Sequence, residues 1–323
     1  MRRFRRCAHG AALLALAVVV GACGSGVGGN GGAEDGGGGG GGGGPVANQL
    51  TLGGPPECPD RPFCIPGLKK VYGIEFGDFR PLDVGGPLTI KALESGRIDV
   101  ALLFSTSSVI ADKGWVVLED DKGLQQAENI TPVVSKGVLD PTITKLLNAV
   151  SSKLNTENMT QLNGRVEVDG EDPEDVAEDF LEQQGVSGES ASGSGELTVG
   201  AVAFAENQIV AEMYSQVLDD AGYEVDEKLD LGSREIMQPA LESGEIDVAP
   251  EYVGTLLLYE NPQAKGSGDP KQVRQQLAPL LKKKGIALLQ SSQANDTNAF
   301  VVTQETADQY GLSKVSDLAQ PAS

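Results

Sequence analysis

Two short stretches bring an aromatic ring and a hydroxyl close together: LLFSTS (Leu102–Ser107) and PEYVGT (Pro250–Thr255). Phe104 with Thr106, and Tyr252 with Thr255, each pair an aromatic ring with a hydroxyl, which suggests a ligand held between them. That is binding chemistry. Packing inside the fold is the alternative reading of the two rings. Catalytic constellations are harder to build. The only histidine, His9, falls in the leader described below, so no Ser/His/Asp or Cys/His arrangement is available. Asp99 and Asp247 each sit just after a Gly turn at matching points of a repeat. They are expected to bond backbone there rather than to act as a carboxylate pair. No phosphate-binding Gly loop is present. An enzyme, a metal and a cofactor are therefore not expected.

The elements that must position these residues are written twice. ALESGRIDVA (Ala92–Ala101) returns as ALESGEIDVA (Ala240–Ala249), LTLGG at Leu50 returns as LTVGA at Leu197, and LDVGG at Leu82 returns as LDLGS at Leu229. Each copy reads strand, helix, strand, helix, strand, with short apolar runs ending in Gly. Two such units predict two α/β lobes, each a small, mostly parallel sheet flanked by helices. A solenoid would need three or more repeats. Ligands of open parallel sheets lie beyond the carboxyl ends of the strands, which is where both aromatic–hydroxyl stretches fall.

The chain opens as an exported lipoprotein would. Arg2, Arg3, Arg5 and Arg6 precede an apolar run, Ala11–Val20, too short to span a bilayer. VGAC then resembles a lipobox with Cys23 as the acylated residue, so residues 1–22 are expected to be removed. Residues 23–48 hold the lipid and a glycine-rich tether; 15 of residues 24–44 are Gly, and no core can form there. Cys58 and Cys64 remain, flanking PDRPF in a compartment that permits disulfides. A metal site would need further ligands, so a disulfide is expected. Acidic residues outnumber basic ones 46 to 25, for a net charge of −21. This disfavours nucleic acid as a partner.

Apolar segments after each copy, Ile130–Ser135 and Ala299–Thr303, are expected to cross between lobes. Helices are expected over Pro141–Leu154, Thr156–Asn163 and Asp172–Gln184, the last with Asp172 as N-cap and Pro173 at the first helical position. Residues 186–196 (VSGESASGSGE) read as a linker.

The stretches LTVGAVAFAENQIVAEMYSQVL, LGSREIMQPALESGEIDVAPEYVGT and NDTNAFVVTQETADQYGLSKVSDLA resemble the osmoprotectant-binding proteins of ABC importers, which bind glycine betaine, choline or carnitine. GGPPECPDRPFCIPGLKKVYG is similar to the same family. The resemblance implies a two-lobed type II periplasmic-binding fold, with the family's two segments exchanged in order, as in a circular permutation. It divides the chain into a first lobe, 49–128 plus 304–323, and a second, 129–185 plus 197–303. Residues 186–196 would join the family's original termini. A trimmed tandem pair is the rival account.

The resemblance also implies an aromatic cage for a quaternary ammonium. Tyr252 and Phe104 match cage positions, and Thr255 matches a carboxylate-binding threonine. Arg61 matches a carboxylate-binding arginine, and Thr106 and Phe204 are further lining candidates. Asn298 stands where a cage tyrosine is common, and Val202 where some relatives carry a lysine. The expected protein is a monomeric receptor, lipid-anchored outside the cytoplasm. It binds a small zwitterionic or cationic ligand and passes it to a membrane permease. The same role for another zwitterion or amino-acid derivative is the alternative, ahead of a sensor or a hydrolase.

Overall fold

The computed structural model describes residues 44–322 except Val84; the leader, Cys23 and most of the tether lie outside the described residues. In the first half of the repeat come β1 (Thr51–Gly54), α1 (Ile65–Gly67), β2 (Asp78–Pro81), α2 (Pro87–Glu94), β3 (Val100–Phe104), α3 (Ser108–Asp112) and β4 (Val116–Val117). Next are β5 (Ile130–Ser135) and three helices, α4 (Pro141–Lys153), α5 (Thr156–Glu167) and α6 (Pro173–Gln184). The second copy supplies β6 (Glu196–Val202), α7 (Ala205–Asp219), β7 (Glu224–Leu231), α8 (Arg234–Ser243) and β8 (Val248–Tyr252). The chain continues through α9 (Val253–Glu260), α10 (Pro270–Lys283), β9 (Ile286–Leu288), β10 (Asn298–Val302) and α11 (Gln304–Tyr310).

Two five-stranded sheets result, ordered β2-β1-β3-β10-β4 and β7-β6-β8-β5-β9. The first three strands of each are parallel, and the last two are joined to them antiparallel or through an antiparallel pair. Position for position the sheets match, which is the two-lobed type II arrangement. Each is completed by a strand from the other half: β5 follows the first copy and joins the second sheet, and β10 follows the second copy and joins the first. The expected boundary at residue 303 is thereby corrected. Residues 298–302 belong to the first lobe, because Asn298–Val301 pair with Phe104–Ala101 on β3.

Apolar side chains of β6, α4–α7 and β8 form one core, with Tyr214 and Met213 fully enclosed. A separate core joins β1, the Cys58–Cys64 disulfide, Phe300 and the C-terminal turn. That turn, Val315–Ala319, packs beside the turn Val46–Gln49, and the Val46 N–H donates to the Gln320 carbonyl at 2.8 Å. The Ser/Gly stretch is laid against the second lobe. Gly193 donates to the Ala221 carbonyl at 2.7 Å, and a Cβ there would stand 2.1 Å from the Tyr223 ring. Glycine is required at that point for close approach.

The repeated aspartates do the same job twice. Asp99 accepts from the Thr51 N–H at 2.8 Å, and Asp247 from the Thr198 N–H at 3.0 Å. Each backbone N–H returns the contact, to the Thr51 carbonyl at 3.0 Å and the Thr198 carbonyl at 2.7 Å. Each carboxylate thus ties the loop before the third strand to the start of the first. Removing such a charge-assisted bond costs about 1.5–3 kcal/mol. In a protein of this size each kcal/mol moves Tm by about 2–4 °C. Asp99→Ala and Asp247→Ala are expected to lower Tm by about 3–12 °C without changing ligand affinity. A thermal melt and calorimetry on each variant check both halves of the expectation.

Candidate functional site

The exchange of strands brings two crossover segments, residues 118–129 and 289–297, side by side between the sheets. Asn129 bridges to Asn295, the Glu128 N–H donates to Asn295 Oδ1 at 2.7 Å, and the Ile130 N–H donates to the Ala294 carbonyl at 3.0 Å. Strands β3 and β8 end against these crossovers. Ser105 Oγ donates to the Asn295 carbonyl at 2.9 Å, and Tyr252 lies opposite Ile130 in the β5–β8 register.

Tyr252 ends β8 and is 8 % exposed. Its ring stacks with Phe204 at a centroid distance of 6.0 Å, and its hydroxyl donates to Glu206 Oε1 at 2.8 Å. Burial, with the Glu206 carboxylate close by, holds the phenol proton on. Phe204 immediately precedes α7 and is 42 % exposed, so one face of this aromatic pair is open. Glu206 also accepts from Asn163 Nδ2 at 3.0 Å, and the same amide donates to the Thr106 carbonyl at 3.1 Å. Helix α5 of the second lobe therefore touches the end of β3 in the first.

Thr106 is buried, and its hydroxyl donates to Asp296 Oδ1 at 2.7 Å. Burial pushes the Asp296 carboxyl well above the carboxylate range, and the Glu206 charge adds to the rise. Glu206 is itself raised by burial. Phe104 is 37 % exposed and sits directly across from Asn298 in the β3–β10 register, so both side chains share one face. Asn298 Nδ2 donates to Gln125 Oε1 at 3.3 Å.

The remaining sequence-derived residues are placed less simply. Arg61 lies on the disulfide loop with its side chain 44 % exposed, and its guanidinium pairs with Glu57 at 3.6 Å. Thr255, in the first turn of α9, faces a carboxylate of the chain itself. Glu128 Oε2 accepts from the Gly254 N–H at 3.1 Å, the Thr255 N–H at 2.9 Å and the Thr255 hydroxyl at 3.3 Å. Val202 donates its N–H to Asn207 Oδ1 at 2.8 Å. A surface cavity of about 510 Å³ is lined by Asn129, Arg274 and Leu289–Ser292 at the crossovers, and another of about 910 Å³ by Glu174, Glu212 and Asp219.

Sequence reasoning missed Glu128, Glu206, Asp296 and Asn163. Glu206 left a faint trace: it falls on the same helical face as Val210, Met213 and Val217, all buried, which is an odd place for a carboxylate. Glu128 and Asp296 sit in crossovers with no periodicity to mark them. Together these residues set a ring pair beside buried carboxyl groups that burial holds toward the protonated form.

Glu128 gives the site a pH signature. It is 6 % exposed, and burial pushes its carboxyl up to about 7. Hydrogen bonds from Thr255 and Gln126 and the charge of Arg234 oppose the rise. The folded chain thus holds a proton on Glu128 that the unfolded chain releases near 4.5. Stability from this group is lost as pH rises from about 4.5 to about 7 and is level above. Glu128→Gln removes that slope. Its Tm relative to the parent protein is expected to climb between pH 5 and pH 7.5, measured by thermal melts across that range.

Residues 44–183 and 195–323 match the family described as the substrate-binding domain of ABC-type glycine betaine transport systems. Over 129 residues the chain is 34% identical to an ergothioneine transport permease and binding protein of Helicobacter pylori (strain G27), covering 39% of this chain and 23% of that one. It is 31% identical over 133 residues to a glycine betaine-binding protein of Escherichia coli (strain K12), covering 39% and 44%. The chain thus spans less than half the length of the curated relatives it matches. A solved glycine betaine/carnitine/choline ABC transporter structure aligns at 28% identity over 43% of this chain and 52% of that one, with a TM-score of 0.35. With the family match extending over both lobes, the chain belongs to the substrate-binding domains of ABC-type glycine betaine transport systems.

Proposed function

We propose that the protein is an extracytoplasmic, lipid-anchored receptor of an ABC importer that closes its two lobes on a small quaternary-ammonium ligand such as choline, carnitine or glycine betaine. It then hands the ligand to a membrane permease. The observation that carries this reading is the Tyr252–Phe204 ring pair backed by Glu206. An electron-rich ring face favours a methylated ammonium by about 0.5–2 kcal/mol per ring. Phe104, on the other lobe, supplies a second exposed ring. A ligand touching both lobes favours the closed form, because only there are both sets of contacts made. Catalysis has no part in this reading.

The anchor rests on Cys23 at the end of the leader. The order of the halves is read as a circular permutation of the family. Two features support it: the Ala322 N–H donates to the Gly44 carbonyl at 3.0 Å, so the described ends adjoin, and the family match is interrupted between residues 183 and 195, in the Ser/Gly stretch. Termini that lie close together on a surface are where permutation is tolerated.

Two experiments test the proposal. Tyr252→Ala is expected to weaken choline binding about tenfold, the loss of one ring contact; calorimetry that finds no change removes the cage. Cys23→Ser should be exported yet recovered in the soluble extracytoplasmic fraction instead of with membranes. Continued membrane retention would remove the lipid anchor.

A further inference from the structure

The donors that the family resemblance assigns to a ligand's carboxylate are already in use. Helix α9 begins at the end of β8, and its first free N–H groups are those of Gly254 and Thr255. A helix N-terminus with a threonine hydroxyl is a natural seat for a carboxylate. Glu128 Oε2 takes both N–H groups and the Thr255 hydroxyl, at 3.1, 2.9 and 3.3 Å. Its other oxygen, Oε1, accepts from Gln126 Nε2 at 2.6 Å. The seat is also full: a Cβ on Gly254 would stand 2.8 Å from both Glu128 Oε1 and Gln126 Cδ.

Charge around the seat points the same way. Arg234 is spent on Glu251, with its Nε 2.9 Å from Oε1 and its Nη2 2.7 Å from Oε2. Arg61 is on the exposed loop with Glu57. The carboxyl groups nearby are Glu128 itself and, around Tyr252 and Thr106, the buried Glu206 and Asp296. Among the described residues no group of His, Cys, Asp or Glu is arranged to hold a metal ion. Above pH 7 it is the ionised Glu128 that an organic cation would meet there.

We propose that Glu128 is a built-in counter-carboxylate that occupies the anion seat of α9 and sets the receptor's specificity, favouring cations without a carboxylate over zwitterions. A ligand such as choline keeps its attraction to the rings and to the acidic wall. A ligand such as glycine betaine carries a carboxylate that finds its donors taken and like charge beside it. Desolvating that group without a partner is costly, which is how a site of this kind discriminates.

The inference rests on the receptor reading only for its choice of ligands, and its test has an arm that uses none of them. Emptying the seat with Glu128→Ala should let free acetate fill it. Acetate is expected to raise the Tm of Glu128→Ala by about 3 °C relative to chloride at equal ionic strength and to leave the parent protein unmoved. In calorimetry the parent protein should bind choline at least about tenfold tighter than glycine betaine, and Glu128→Ala should lose that preference. Should Glu128→Ala fail to fold, Glu128→Gln keeps the shape and removes the charge. Measured at pH 8.5, where Glu128 is ionised, it is expected to weaken choline about tenfold while remaining insensitive to acetate. An equal acetate response in parent and Glu128→Ala overturns the proposal, as does a parent protein that prefers glycine betaine. For Glu128→Gln, unchanged choline affinity overturns it. If the parent binds neither ligand, the quaternary-ammonium reading falls, and the acetate comparison still decides who occupies the seat.

Discussion

The structure depends on an exchange: neither sheet can be finished by its own copy of the repeat. Strand β3 is paired on one side by β1 and on the other by β10, and β8 is held the same way by β6 and β5. Without the borrowed strand each lobe would expose the ladder groups of a hydrophobic strand, an edge that proteins avoid. The exchange forces the chain to cross between lobes twice at one place. The crossovers then bond to one another, through Glu128 to Asn295, Asn129 to Ser292 and Ile130 to Ala294. A floor between the lobes follows from connectivity alone, and the ligand-facing ends of β3 and β8 must rest on it.

What stands on that floor is costly to fold. Glu128, Glu206 and Asp296 are taken out of water, and an unpaired buried carboxylate costs several kcal/mol. Hydrogen bonds offset part of this: Glu206 accepts from Tyr252 and Asn163, Asp296 from Thr106, and Glu128 from four donors. Protonation offsets more, which is why all three carboxyls are raised. Hydrophobic side chains of similar size would make a more stable floor. Keeping carboxylates there is intelligible as a property of the binding function.

The duplicated phrase made both lobes legible, because each apolar run and Gly turn recurs at the same offset and predicts the same element. Helix α6 could be read closely, since its Asp172 cap and Gly185 stop are local signals. The lobe boundary near residue 303 could not. The apolar run Asn298–Val302 suits a buried strand in either sheet, and only its pairing with β3 decides which. The site was half legible for a related reason. Tyr252 and Thr255 stand in a recognisable stretch, yet their partners lie far off in sequence. Tyr252 meets Glu206 46 residues away, Thr106 meets Asp296 across 190, and Thr255 meets Glu128 across 127. Contacts of that span are set by topology, and a single sequence carries no periodicity for them.

The copies part where they meet this floor, as they do earlier, where only the first carries the Cys58–Cys64 loop. The phrase they share runs through IDVA; beyond it, one continues to Phe104 and the other to Tyr252. Tyr252 is buried, stacked and hydrogen-bonded, so its ring is fixed in advance and loses little entropy when a ligand arrives. Phe104 is partly exposed, beside Asn298 on the face of β3 and β10. One lobe thus holds a fixed ring, and the other offers a ring still partly in water. On the receptor function proposed above, which requires both capture and release, this asymmetry would be useful. The fixed half can bind a ligand while the lobes are apart, and burial of Phe104 contributes only on closure. Two identical half-sites would bind the ligand alternately; unequal ones give the encounter an order.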